Sequence, residues 1–280
     1  MIKQNPFSVY DFLGYLVPGS IVIYSYLIVD YAKKHSEFVL KEFTDEFLDL
    51  KFEGIFFFVI LSYTLGHIIS FTSSVTVEKY ANWTYSYPSK YLLDMRFKTF
   101  WKSISGWKDF IWRIIIIVIL LPCILLDLLF GQFLGFKRFY TKKLDQLLQD
   151  LIVHKLNKLL IKLGIQEIEG YTQFENGRAN DADFHRIATH YAYENSKNHQ
   201  AKMSNYVALY GFLRTLCFIF NILAIYTFIR VWVYLQFDFK NVLIILILSG
   251  ISYLSFMAFM KFYRRYTLEG LMVIAIDETL

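Results

Sequence analysis

MSNYVALYGFLRTLCFIFNILAIYTFI, residues 203–229, is long enough to cross a bilayer and holds a single charge, Arg214, before Arg230 closes the run. Uncharged apolar stretches of about 18 residues or more read as membrane spans. A charge at membrane depth costs at least ~2.5 kcal/mol on insertion scales, so Arg214 needs a physical reason to be there. The elementary reason is position near one face, with the apolar stem in lipid and the guanidinium reaching back to the headgroups. Three further runs have the length without the interruption. Phe12 to Val29 is 18 residues between Asp11 and Asp30, Gly54 to Val77 is 24 between Glu53 and Glu78, and Asn241 to Met260 is 20 between Lys240 and Lys261.

The composition agrees. Hydrophobic residues fill 56% of 280 positions and mean hydropathy is +0.38, above the usual range of a soluble domain. The expected fold is an all-α integral membrane protein with four transmembrane helices, at about 12–29, 54–77, 205–229 and 241–260. The first span, with Pro18-Gly19 in its middle and no small-residue cleavage site after it, reads as a retained anchor. Cys123 and Cys217 both lie in apolar segments, which supports neither a disulfide framework nor a metal cluster.

A fifth apolar stretch decides the topology. Ile114 to Leu126 is 13 residues, with Pro122 inside it and Asp127 after it. Proline removes a backbone donor and breaks a helix, so residues 110–136 read as a re-entrant or surface-lying hairpin, with a kinked fifth span as the alternative. The positive-inside rule arbitrates. The segment from Asp30 to Glu53 has four Lys against seven acids, whereas Glu78 to Arg113 has seven Lys/Arg against three, and Lys137 to Lys202 has eleven against eight. Four crossings place every basic stretch, and both termini, on the cytoplasmic side of a bacterial inner membrane.

The chain then divides into a transmembrane hairpin (1–77), a helical cytoplasmic insertion (78–202) carrying the membrane-associated hairpin, and a second transmembrane hairpin with a tail (203–280). Residues Ser89 to Trp107 mix Lys/Arg with Phe and Trp and read as an interfacial helix. Leu144, Leu147, Leu148, Leu151, Ile152, Leu156, Leu159, Leu160 and Leu163 recur at helical spacing, and Gly164 is a natural stop. This Leu/Lys helix can lie on an anionic membrane face or pack on the protein's own core, the commoner fate. Gly170 to Asp183 reads as a loop, with Asp181 or Asp183 capping a helix from Phe184 that continues into the third span.

Candidate sites follow from polar residues in this frame. Arg186, His190 and Glu194 share one face of the helix before the third span and form a candidate partner face. His190 and Glu194 supply too few ligands for zinc, so no metal and no cofactor is expected. His67, Ser70 and Ser74 share a face of the second span; they would line an oligomeric pore or form a helix seam. Arg214 reads as an anchor at the membrane junction, and Arg230, near the outer end, is level with Asp30, which suggests a brace between spans. GxSxG, Walker A, dinucleotide and paired intramembrane acid signatures are missing from the sequence, so no catalytic residue is assigned.

In general plan the chain resembles the membrane effectors of bacterial anti-phage systems: small, multi-pass, rich in Phe, Tyr, Ile and Lys, with a basic cytoplasmic insertion. That resemblance of architecture implies a protein that oligomerises or answers a cytoplasmic partner and perturbs the bilayer. The expected function is non-enzymatic: a homo-oligomer coupling a cytoplasmic partner or signal to permeability or recruitment. The net charge of +5 and the basic inner face fit anionic lipids better than nucleic acid. The alternative is an intramembrane enzyme or transporter for a lipid-like substrate, using His67, Asp127, Arg214 and Arg230.

Overall fold

In the computed structural model, residues 11–35, 39–47, 52–95, 100–164, 184–235 and 237–280 are described, and no strand occurs among them. Helices therefore satisfy the backbone internally, as a bilayer requires. A π-helical turn (Phe12–Leu16) leads into α1 (Val17–Lys34), followed by α2 (Leu40–Phe47) and α3 (Phe52–Ser73). A second π turn, Ser74–Glu78, joins α3 to α4 (Lys79–Tyr85), and α5 (Pro88–Leu92) follows. Then come α6 (Trp107–Ile119), α7 (Leu121–Leu126) with its π extension Asp127–Phe133, α8 (Gln146–Lys162), α9 (Phe184–Asn195), α10 (Lys197–Val233) and α11 (Phe239–Ile276).

Four helical stretches have the length and hydropathy to cross a membrane: Phe12–Ala32, Phe52–Leu92, His199–Val233 and Phe239–Ile276. The protein is thus an all-α membrane protein of the expected plan. The first two spans pack backbone to backbone. A Cβ built on Gly19 would collide with the Ser62 carbonyl, and one on Gly66 with the Tyr15 carbonyl, so only glycine permits this approach. Much of α3 faces outward with bare apolar side chains, among them Phe56, Phe57, Ile68 and Phe71.

The 110–136 segment is bent, as expected: Trp107–Ile119 and Leu121–Phe133 meet at 85°. The break falls at Leu120, two residues ahead of Pro122, because a proline ring clashes with the preceding turn rather than with its own. Asn221 on α10 repairs the broken ladder. Its Nδ2 donates to the Ile119 carbonyl, and its Oδ1 accepts from the Cys123 backbone N–H at 3.1 Å. Val118, Leu125, Leu128 and Leu129 remain exposed around the bend, a surface suited to lipid.

Beyond the spans the structure corrects two expectations and extends a third element. The helix from Phe184 does not run on into the third span: it ends at Asn195, and Ser196 adopts an extended conformation (φ −141°, ψ 95°) before α10 begins. Residues Ser89–Trp107 do not form one interfacial helix. Helix α5 ends at Leu92, Asp94 takes a left-handed φ of 54°, and a new helix starts at Trp107. The helix that carries the fourth span runs on past Met260 to Ile276. The reason is amphipathicity: Leu271, Ile274 and Ala275 continue the helix as a buried stripe.

That stripe organises a second core. Leu271, Ile274, Ala275 and Leu280 pack with Ile152, Leu156 and Leu159 of α8, with Phe184 and Ala188 of α9, and with Tyr91 and Leu92 of α5. Helix α8 is the expected Leu/Lys helix, capped by Asp145, whose side chain accepts from the Leu148 N–H at 3.0 Å, and followed by Gly164 at φ +83°. Ile152, Leu156, Leu159 and Leu160 of its apolar stripe are buried in the protein's own core, whereas Leu147, Leu151 and Leu163 are exposed. The 78–202 insertion therefore shares its interior with the end of α11. The Gly170–Asp183 loop and its proposed caps lie outside the described residues.

Candidate functional site

Two polar centres sit among apolar helices. The first is Arg214. Its Nη1 donates to the Glu78 carboxylate, its Nε to Ser73 Oγ at 3.2 Å, and its Nη2 to the Ser70 carbonyl at 3.3 Å. Ser73 also meets Thr215 at 3.3 Å. The arginine reaches sideways to α3 and the π turn, where a carboxylate is within reach, and its side chain is only 11% exposed. The π turn aids this arrangement, since an extra residue in one helical turn redirects the side chains that follow.

The remaining candidates fall in three places. Ser70 joins the Arg214 centre through its carbonyl, whereas Ser74 bonds the Phe71 carbonyl of its own helix. His67 stacks on Tyr15 of the first span at 3.6 Å between rings, with Tyr63 edge-on at 4.6 Å. Among the described ion pairs Asp30 bonds Lys34 at 2.8 Å, so the expected Asp30–Arg230 brace is not formed. A lysine one turn away on the same helix competes locally and wins. Arg230 instead lines a cavity of about 300 Å³ with Val29 and Asn241. Arg186, His190 and Glu194 lie exposed along α9, opposite the buried Phe184, Ala188 and Ala192.

The second centre is Asp127, fully buried at the start of the π extension of α7. Three phenols converge on its carboxylate: Tyr80 OH at 2.7 Å, Tyr85 OH at 2.8 Å and Tyr140 OH at 2.9 Å. Tyr85 and Tyr140 also touch each other at 3.2 Å, and Tyr91 OH donates to the Tyr140 carbonyl at 3.4 Å. Gly131 leaves the room: a Cβ there would collide with Asp127 Oδ1 and stand 2.7 Å from Tyr140 OH. Burial, then the Asp127 carboxylate, pushes the Tyr140 phenol far above its ordinary value, which keeps it a donor. Phe256 packs edge-on to Tyr140 and tilted on Tyr80, sealing the group from the α11 side. Below it Cys123 and Cys217 approach to 3.8 Å between sulfurs, both buried thiols.

A cavity of about 730 Å³ adjoins this cluster, walled by Tyr80, Tyr85 and Tyr91, by Ile117, Ile124 and Leu128 of the bent pair, and by Gln132, Lys137 and Lys143. Nearby, Arg113 is buried under Trp83 at 4.4 Å, held by Asp109 at 3.1 Å and by the Phe100 and Ser103 carbonyls. Of these residues the sequence points to Asp127 alone, in the alternative of an intramembrane site; the tyrosines and Arg113 carried no signal of their own, although a carboxylate within an apolar segment requires partners. Glu78 gave a parallel signal as the acid ending the second span. The chain matches no known protein family, no curated protein and no solved structure, so the sites are read from their own geometry.

Proposed function

We propose that the protein is a non-enzymatic bacterial inner-membrane component that couples a cytoplasmic partner or signal to the permeability of the bilayer, as a homo-oligomer. One observation carries this reading: α11 is a single helix that serves both layers. Its first half presents bare Leu243, Leu246, Ile247 and Leu254, and its last turns are buried among α8 and α9. At ~1.5 Å per residue its 38 residues reach roughly 57 Å, against a hydrocarbon core of about 30 Å. A displacement of the α8–α9 layer is therefore transmitted to the spans through a rigid element rather than a linker. In this reading the exposed Arg186–His190–Glu194 face receives the partner, and the Arg214–Glu78 pair locks α10 to the second span.

Asp127 supports the non-enzymatic reading because its carboxylate is enclosed by phenol donors and serves the packing. A role as a defence effector is the form of this proposal in which the signal is infection. Induced expression with a membrane-potential dye tests it: depolarisation on triggering is expected, and an unchanged potential under every trigger would remove the proposal.

A further inference from the structure

The 730 Å³ cavity beside the tyrosine cluster falls within the range of ligand sites, about 300–1,000 Å³. Its walls combine apolar and charged side chains. Ile117, Ile124 and Leu128 come from the bent pair, whose outer surface is apolar and exposed, while Lys137 and Lys143 come from the segment that follows it. The charges there are unequal in their engagement. Lys143 is tied to Asp94 at 2.8 Å, whereas Lys137 enters no ion pair among the described residues. Asp94 also lines the cavity, whereas Asp127 is not among the lining residues and its oxygens accept from Tyr80, Tyr85 and Tyr140, which leaves Lys137 as the lining cation without an ion-pair partner among the described residues.

We propose that this cavity holds one anionic phospholipid of the surrounding bilayer, its phosphate against Lys137 and an acyl chain along Ile117, Ile124 and Leu128. Leu125 and Leu129, the chain neighbours of Ile124 and Leu128, are exposed and apolar, so a bilayer lipid would find an apolar approach to the cavity. A basic pocket between membrane helices is the recognised form of headgroup capture. The tyrosine hub behind it fixes the α4–α5 and bent-pair walls relative to each other and so keeps the pocket open. This assignment is independent of the coupling proposal, since lipid retention needs no change of permeability.

Native mass spectrometry of the purified full chain, relipidated with phosphatidylglycerol or phosphatidylcholine, tests it. The wild type is expected to retain one phosphatidylglycerol in preference to phosphatidylcholine. Lys137→Glu should weaken that retention about fivefold, the effect of one basic contact at a membrane surface. Leu128→Trp, filling the chain end, should lower retention of both lipids. Lys137 and Leu128 are both exposed, so unchanged melting in the same detergent is expected and checks the fold. Equal retention of the two lipids by the wild type, full retention by both variants, or displacement by inorganic phosphate alone would each overturn the assignment.

Discussion

Asp127 and Arg214 are both charges placed within apolar helices, and the protein neutralises them in opposite ways. The anion receives three neutral phenols from α4 and from the segment after the bent pair, and it is wholly buried. The cation receives one carboxylate and two weaker oxygens from the second span, and Glu78 stays 26% exposed. The difference follows from what each site can tolerate. A deep carboxylate beside a positive group would bury two ions, with a desolvation cost that often exceeds their attraction. Phenols stabilise it with dipoles alone. Near the edge of the second span a true ion pair is cheaper to hold, because one partner keeps contact with a polar surface.

The contrast makes the Asp127 centre the more fragile. Asp127→Leu strands three buried hydroxyls, each costing about 1–3 kcal/mol when left unpaired. A loss on the order of 3–5 kcal/mol is expected in reversible unfolding, and a loss below that of any single-tyrosine variant would show that the hub is not cooperative. Gly131→Ala should cost about 1–3 kcal/mol through overpacking against Asp127 and Tyr140, read by the same unfolding assay. Combining it with Tyr140→Phe should recover part of that loss.

The Arg214 centre is expected to respond less. In a double-mutant cycle of Glu78→Gln and Arg214→Met, the coupling should be about 1 kcal/mol, the scale of polar contacts measured between membrane helices. A coupling near zero would mean that Arg214 is held by headgroups after all. The smallest effect belongs to the α8–α9 layer, where Asp277 accepts from the Tyr191 hydroxyl and Lys155 donates to the Asp277 carbonyl at 2.6 Å. The Tyr191 bond, then Thr279, holds the Asp277 carboxyl below its ordinary value. A depressed carboxyl contributes stability above its ordinary pKa of about 3.9 and loses it as pH falls through the lower folded value. Hydrogen exchange over residues 184–195, corrected for intrinsic rate, should therefore rise slightly below about pH 4, and Asp277→Asn should abolish that dependence.

Much of the fold was legible in the sequence because apolar runs and helical periodicity are local signals. Four spans, the bend near Pro122 and the Leu144–Leu163 helix all follow from residues within a few turns of one another. The sites were less legible because their partners are distant. Tyr80 and Tyr85 lie 47 and 42 positions from Asp127, and Glu78 lies 136 from Arg214. Charge spacing told where partners were required but not which helix would supply them. The Asp30–Arg230 brace failed for the same reason, since level position in a bilayer does not bring two side chains into contact. The continuation of α11 was hidden because Lys261, Arg264 and Arg265 mark the end of an apolar run, while the helix itself is extended by packing beyond it.

Topology offers the sharpest test of a helical pair that joins the bilayer and the α8–α9 layer. Leu235, exposed in the turn between α10 and α11, and His190, exposed on α9, are each replaced singly by cysteine in intact cells and in inverted vesicles. The two native cysteines are buried and should stay silent to an impermeant maleimide. Labelling of Leu235→Cys only from outside and of His190→Cys only from inside is expected. Labelling of both from the same side would contradict a membrane-crossing α10–α11 pair and the coupling that rests on it.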